Sequence, residues 1–308
     1  MFATELMPEK RNFLFLDEPD VHLHPDLQGR LVAFLVEAVN KDDFTVVIAT
    51  HSTAILGGLA EYEDAAVAFM KAGVEDLHFD GITDLHRRVL PVFGAHPLSN
   101  VFNEVPVLLV EGDDDVRIWQ QAARSSDGAI KVYPVSCETV SAMNAYETEV
   151  GRIATAVYDS ARAFSLRDRD GMDGELNDDP PVRRMRLACR AAENLFLTDE
   201  VLASCGLGWT EAKSRIDTWL DANQSHDRYA LMLAFRDSGY DRKSFDLKEI
   251  RMVLVGMILN STKPWEVLVG QAIASLQQPT NAVWAPVEDS LLSYLGEKTV
   301  RQLLPTII

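Results

Sequence analysis

Two groups of carboxylate residues stand out because each follows an apolar segment at a spacing suited to metal chemistry. The first group is Asp17 with Glu18, and the second is Glu111 with Asp168 and Asp170. Carboxylate oxygens are the ligands that Mg²⁺ and Mn²⁺ prefer, and such an ion can orient a phosphate and activate water. The sequence therefore indicates phosphate chemistry at two places in the chain.

The first group is predicted to end the first strand of a βαβ unit. Phe13–Leu16 is a short apolar run, and Thr45–Ala49 is rich in β-branched residues. Between them, Pro25–Asn40 has apolar residues at helical spacing. Parallel strands joined by a helix bring their carboxyl ends to one edge of a sheet. Asp17 there can hold Mg²⁺ on nucleotide phosphates, and Glu18 can polarise the attacking water.

The stretch LFLDEPDVHLHPDLQ, followed by VVIATHSTAIL, resembles the ABC-type ATPases of the SMC and OLD (overcoming lysogenisation defect) group. The resemblance covers about residues 12–60. It implies that Asp17 and Glu18 form the Walker B element, that His51 is the switch histidine, and that the cofactor is ATP with Mg²⁺.

A phosphate-cradling GxxxxGK[ST] motif does not occur in this sequence. Without its backbone N–H groups, this chain alone is expected to bind ATP poorly and not to hydrolyse it. Three interpretations stay open: a C-terminal fragment of a longer protein, a site whose missing half a partner chain supplies, or a vestigial site. The chain is expected to form a homo-oligomer or to associate with such a partner chain.

The second carboxylate group is predicted to lie in a second α/β unit. Val105–Val110 is a predicted strand that ends before Glu111, and Ala161–Leu166 is another that precedes Asp168. The carboxyl ends of parallel strands converge, so the carboxylates should meet. Three carboxylates around one point repel each other unless a cation lies between them, which favours Mg²⁺ or Mn²⁺.

Glu-Gly-x-x-Asp at 111–115 followed by Asp-x-Asp at 168–170 resembles the Toprim domain of topoisomerases, primases and OLD-family nucleases. The resemblance covers about residues 105–200. It implies nucleic-acid cleavage, with Glu111, Asp168 and Asp170 as catalytic residues. The implied metal ligands are Glu111, Asp115, Asp168, Asp170 and Glu193.

A basic cluster follows the second carboxylate group, at Arg183, Arg184, Arg186 and Arg190. It is a candidate for contacts with a nucleic-acid backbone, and the alternative is a solvated helix face. The net charge of −18 argues against a broadly basic surface but leaves room for such a local patch.

The predicted fold class is α/β, divided into a partial ATPase unit (1–100), a Toprim-like parallel domain (101–200) and a helical region (201–308). Residues 182–308 are mostly helical by pattern. No apolar run is long enough to span a bilayer, the N-terminus lacks signal-peptide character, and the three cysteines show no CxxC spacing. These features favour a cytoplasmic protein without membrane contact.

The leading hypothesis is a metal-dependent endonuclease of the OLD type that acts on DNA, or on RNA such as tRNA. Resemblance to that family also implies defence against phage or other foreign nucleic acid. Two alternatives belong to other classes. One is a non-catalytic regulatory or assembly module, and the other is an ATPase subunit completed in trans.

Overall fold

The fold was described from a computed structural model of the chain, whose residues divide into two compact units. One unit comprises Met1–Glu104 with Arg152–Ser160, and the other comprises Val105–Gly151 with Ala161–Ile308. The structure describes residues 13–20, 23, 25–42, 44–50, 52–59, 62–68, 79–81, 105–157, 162–258, 263–279 and 283–305.

A parallel βαβ unit forms the described part of the first compact unit, as predicted. Its elements are β1 (Phe13–Asp17), α1 (Pro25–Asp42), β2 (Thr45–Ala49) and α2 (Thr53–Leu59), followed by the antiparallel pair β3 (Ala66–Val67) and β4 (Asp80–Gly81). Asp17 is in register with Ala49, so the two strands end side by side. Val32, Leu35 and Ile55 are buried and hold α1 and α2 together.

A four-stranded parallel sheet forms the centre of the second unit, in the order β6-β5-β7-β8. Its strands and the helices between them are β5 (Val107–Val110), α3 (Asp113–Ser125), β6 (Tyr133–Ser136), α4 (Val140–Val157), β7 (Ala163–Arg167) and β8 (Val182–Arg186). Every residue of β5 and β7 is buried, which is typical of a parallel strand covered on both faces.

Strand β8 corrects the sequence analysis, which predicted a mostly helical region from residue 182 onwards. It pairs in parallel with β7, and its buried side chains are Val182 and Met185. Three arginines in five residues interrupt the apolar pattern by which a strand is recognised in a sequence. Pairing with β7 determines the strand conformation here. The alternative of a solvated helix face for this part of the arginine cluster is therefore wrong.

Helices dominate the chain after β8, as expected. They are a 3₁₀ helix (Ala192–Leu197) and the α-helices α5 (Asp199–Ser204), α6 (Trp209–Ala222), α7 (Tyr229–Asp237), α8 (Arg251–Ile258), α9 (Trp265–Ala274), α10 (Leu291–Leu295) and α11 (Glu297–Leu303). Of the helices in the part of the chain that the structure describes, none combines the length and apolar character that crossing a bilayer requires. The mixed α/β class with parallel sheets and many helices is confirmed.

Helix α9 packs directly on the backbone of α3. A Cβ atom added at Gly270 of α9 would lie 2.5 Å from the carbonyl oxygen of Ile118 and 2.6 Å from Cβ of Gln121. Only glycine permits this approach. Because α3 begins directly after Glu111 and α9 begins at Trp265, the packing fixes both helix starts beside the carboxylates described below.

Candidate metal centre and nucleotide corner

Glu111, Asp168 and Asp170 converge at the carboxyl edge of the parallel sheet. Glu111 follows β5 and Asp168 follows β7, and these strands are neighbours. One carboxylate oxygen of each residue lies within 4.8 Å of the others. We refer to these three residues as the carboxylate triad. The convergence expected from the parallel topology is therefore present in the structure.

The backbone holds the triad in place through hydrogen bonds from several directions. The N–H of Asp168 donates to Oε1 of Glu111 at 3.1 Å, and the N–H of Ala192 donates to Oδ1 of Asp168 at 3.2 Å. The N–H of Asp170 donates to the carbonyl oxygen of Arg190 at 3.0 Å. Asp170 has a φ of +44°, a left-handed conformation that aspartate tolerates better than most residues. The turn after β7 is thus fixed by its neighbours.

Burial makes the negative charge of the triad energetically unfavourable unless a cation is bound. Burial, reinforced by the carboxylate of Asp115, raises the pKa of Asp168 to about 8 although Lys248 opposes the shift. Burial also raises the pKa of Glu111, against the hydrogen bond from the Asp168 backbone. Three hard oxygen donors whose charge Lys248 compensates only in part fit a divalent ion such as Mg²⁺ or Mn²⁺.

Lys248 is the residue at the triad that sequence reasoning could not select. Its Nζ lies 3.3 Å from Oδ2 of Asp168 and 3.6 Å from Oδ1 of Asp170. Burial would lower the pKa of Lys248, but these two carboxylates raise it to about 12, so the ammonium stays charged. Its side chain is 45% exposed, which leaves it accessible to a phosphate.

Asp115 lies beside the triad as a helix-capping residue. Its Oδ2 accepts a hydrogen bond of 3.1 Å from the N–H of Gly112, at the start of α3. Burial, then the nearby carboxylates of Glu193 and Glu111, raise the pKa of Asp115 to about 7. Asp115 is close enough to interact with the triad, but it is not among the three residues whose oxygens share one point.

Glu193 and Asp114 form a second acidic position next to the triad, and Arg251 lies between them. The Nη1 atom of Arg251 lies 3.2 Å from Oε1 of Glu193 and also donates to Oδ2 of Asp114. The sequence analysis predicted Glu193 as a ligand of the metal centre. The structure places Glu193 on the 3₁₀ helix, with its carboxylate paired to the guanidinium of Arg251.

The four arginines of the basic cluster are all engaged with acceptors. Arg183 pairs with Asp178, Arg184 with Glu147, and Arg190 with Asp246, whereas Arg186 donates to the carbonyl oxygen of Gly174. Arg190 is the one nearest the triad: its Nη1 would lie 3.9 Å from a Cβ atom at Gly171, the residue after Asp170. The prediction that these arginines contact nucleic acid stays a prediction.

A buried network of charged and polar side chains links β7 to α4 and β8. Glu147 of α4 accepts hydrogen bonds from Ser165 at 2.6 Å and Arg167 at 2.7 Å, and it pairs with Arg184 at 3.1 Å. Cys137 lies nearby, and burial raises the pKa of its thiol to about 12. Such a thiol is not a nucleophile at neutral pH. Cys137 and Cys189 are both buried core residues.

The nucleotide corner predicted in the first unit is formed in part by described residues. Asp17 is the exposed last residue of β1, and Glu18 follows with a φ of +45° and donates from its N–H to the carbonyl oxygen of Ala49 at 2.8 Å. His51, the predicted switch histidine, lies outside the described residues.

Side-chain hydrogen bonds tie together the loops that follow β1 and β2. The hydroxyl of Thr50 donates to Oδ1 of Asp20, and the hydroxyl of Ser52 donates to Oε1 of Gln28 at 2.5 Å. The amide of Gln28 donates in turn to the carbonyl oxygen of Leu23 at 2.9 Å. Strand ends held together in this way can present an acidic pair to a nucleotide.

Comparison with known protein families supports the interpretation of the first unit. A parallel βαβ unit with acids at the end of its first strand is the arrangement expected of an ABC/AAA-type ATPase-like domain. Residues 2–57 match a family model described as "AAA domain, putative AbiEii toxin, Type IV TA system". No curated protein matches the chain. The expected ATPase-like domain is thus confirmed, and it occupies the N-terminal part of the chain.

Proposed function

We propose that this chain is a divalent-metal-dependent nuclease whose chemistry lies in the second unit and whose activity is coupled to the N-terminal ATPase-like domain. The observation that carries the proposal is the carboxylate triad with Lys248 beside it. A metal ion at the triad neighbours a lysine that is charged and accessible. This combination suits a phosphodiester, whose negative oxygens require cations on more than one side.

Each residue of the site has a role that follows from its position. Glu111, Asp168 and Asp170 would hold the ion, and the hydrogen bonds from the backbone keep Glu111 and Asp168 oriented. A bound Mg²⁺ or Mn²⁺ supplies charge stabilisation and lowers the pKa of a coordinated water. Lys248 binds a phosphate oxygen from the open side of the site, because its side chain reaches solvent while its Nζ stays beside Asp168.

Nucleic acid is the proposed substrate, either DNA or an RNA such as tRNA. Arg190 is the best placed of the predicted backbone-contacting residues because it lies next to the turn that carries Asp170. A phosphate would have to compete with Asp246 for its guanidinium, since the two lie 3.1 Å apart. The resemblance to OLD nucleases extends the proposal to defence against foreign nucleic acid.

The proposal is tested by incubating the purified chain with supercoiled plasmid, linear DNA and tRNA in Mg²⁺ or Mn²⁺. Cleavage should require the metal, stop in EDTA and be lost in Asp168→Asn. Asp221→Asn removes an exposed carboxylate of α6, far from the triad in sequence, and should cut like the unaltered protein. Cleavage that survives Asp168→Asn would exclude the triad as the active site.

A second candidate function, ATP hydrolysis completed by a partner chain that carries a phosphate loop, is favoured by the acids after β1. Asp17 and Glu18 lie at a parallel strand end within the segment that matches the ATPase-like family model. Phosphate release should then appear only when a protein carrying a phosphate loop is added. It should disappear in Glu18→Gln, while Asp168→Asn should leave it unchanged.

A further inference from the structure

Arg251 bridges two carboxylates in the way that a metal ion would. A single atom, Nη1, contacts Oδ2 of Asp114 on α3 and Oε1 of Glu193 on the 3₁₀ helix, the latter at 3.2 Å. These two acids lie on different elements, and neither belongs to the carboxylate triad. The guanidinium is therefore the cation that joins them.

The position of Arg251 is fixed by packing as well as by charge. Its guanidinium carbon lies 5.3 Å from the centre of the Trp265 ring, a cation–π distance. Arg251 is 24% exposed and Glu193 only 11%, so the pair is partly shielded from water. Trp265 itself is held by the close packing of α9 on α3, which Gly270 allows.

The cations of the site are divided between its two halves. Lys248 pairs with Asp168 and Asp170, whereas Arg251 lies between Asp114 and Glu193. The exposed Arg117 also lies 3.5 Å from Asp114 but does not reach between the two acids. Both come from one short segment, in which the N–H of Arg251 donates to the carbonyl oxygen of Leu247 at 2.8 Å. Among the described residues, Glu111, Asp168 and Asp170 are the only group of three or more His, Cys, Asp or Glu side chains whose ligand atoms lie within 4.8 Å of one another.

We infer that Arg251 takes the place of a second metal ion, so that the site binds one divalent ion per chain. The inference rests on the proposed function, since it concerns the same carboxylates. It makes Arg251 a positioning residue, which holds Glu193 and Asp114 without touching the substrate. Glu193 then acts as the partner of a guanidinium instead of a metal ligand.

Mn²⁺ binding to the metal-stripped full-length chain tests this inference without reference to nuclease activity. Titration followed by electron paramagnetic resonance of free Mn²⁺ gives the number of ions per chain. The unaltered protein and Arg251→Lys, which keeps the positive charge, should bind one ion. Arg251→Met should bind a second, because the guanidinium between Asp114 and Glu193 is gone and only the more exposed Arg117 stays beside Asp114, at 3.5 Å. The thioether side chain keeps contact with Trp265.

The outcomes separate the inference from the proposed function. Two ions of similar affinity in the unaltered protein would overturn the inference and leave the nuclease proposal standing. One ion in both the unaltered protein and a folded Arg251→Met would show that Arg251 does not take the place of an ion. No ion at all would overturn the metal centre itself. If Arg251→Met fails to fold, Arg251→Gln, which also removes the charge but keeps a polar side chain, takes its place in the count.

Discussion

The backbone N–H of Asp168 donates a 3.1 Å hydrogen bond to Oε1 of Glu111. The bond joins the ends of two adjacent parallel strands, β7 and β5, and it uses one of the two carboxylate oxygens that Glu111 offers to a metal. Strand pairing alone brings the two residues to the same edge. The hydrogen bond then fixes which way the Glu111 carboxylate faces.

Glu111→Gln should keep the fold and lose the metal. The amide oxygen of glutamine can still accept the hydrogen bond from Asp168, but the ligand charge is gone. We expect Mn²⁺ affinity to fall by at least about 10–100-fold, as is seen when even outer partners of a metal are removed. Calorimetric titration measures this loss. Glu111→Ala should lose the hydrogen bond as well. Its free energy of unfolding should be about 1 kcal/mol lower than that of Glu111→Gln, measured by denaturant unfolding.

Lys248→Met should separate metal binding from catalysis. Removing a positive charge beside Asp168 and Asp170 should tighten Mn²⁺ binding at least severalfold, since even in water two unit charges about 4 Å apart interact by about 1 kcal/mol. Cleavage should nevertheless fall by on the order of 100-fold, because the charge that stabilises the phosphate is lost. The two quantities are measured on the same preparation, with Lys248→Arg as the matched variant that restores the charge. Weaker metal binding in Lys248→Met would contradict the assigned role.

The triad was predictable because local sequence determines it. A buried parallel strand reads as a continuous apolar run, and an acid at its end is placed by topology at the sheet edge. Glu111 and Asp168 each follow such a strand, and the structure brings them together. The same reasoning recovered the strands that end at Asp17 and Ala49.

Lys248 and Arg251 were not predictable because tertiary packing alone brings them to the site. They follow the triad at a distance in sequence that no spacing rule connects, on a segment anchored by the buried amide of Asn194. That amide donates to the carbonyl oxygens of Arg242 and Phe245 at 2.8 and 3.0 Å. Neither a lysine on the turn before α8 nor an arginine at the first position of that helix carries a signal of this kind in sequence.

Gly270→Ala should destabilise the second unit and disturb the site at a distance. The added methyl group would overlap the backbone of α3, and overpacking of this kind costs about 1–3 kcal/mol. Gly256→Ala is the matched control: its Cβ atom would meet nothing within 4 Å, and it lies on an exposed position of α8. Alanine there should stabilise the helix by up to about 1 kcal/mol. Denaturant unfolding of both variants measures the contrast, and equal effects would refute the packing argument.

Asp178 should stabilise the fold in a way that depends on pH. Burial opposes its ionisation, but hydrogen bonds from Lys298, Arg183 and the Arg184 backbone lower the pKa of Asp178 to about 2, from an ordinary value of 3.8. Since the folded-state pKa is the lower one, the stabilisation is fully present above about pH 4 and is lost as the pH falls through about 2.

Asp178→Asn should therefore lower the free energy of unfolding at neutral pH by about 1–2 kcal/mol, a value reduced for the partial exposure of the side chain. The deficit should shrink as the pH falls from about 4 towards 2, where the carboxylate of the unaltered protein takes up its proton. Urea unfolding over this pH range measures it. Asp179→Asn, an exposed neighbour with the same change of charge, should show no comparable deficit. A deficit in Asp178→Asn that stays constant with pH would mean that packing, and not the charge of Asp178, holds α11 against the loop before β8.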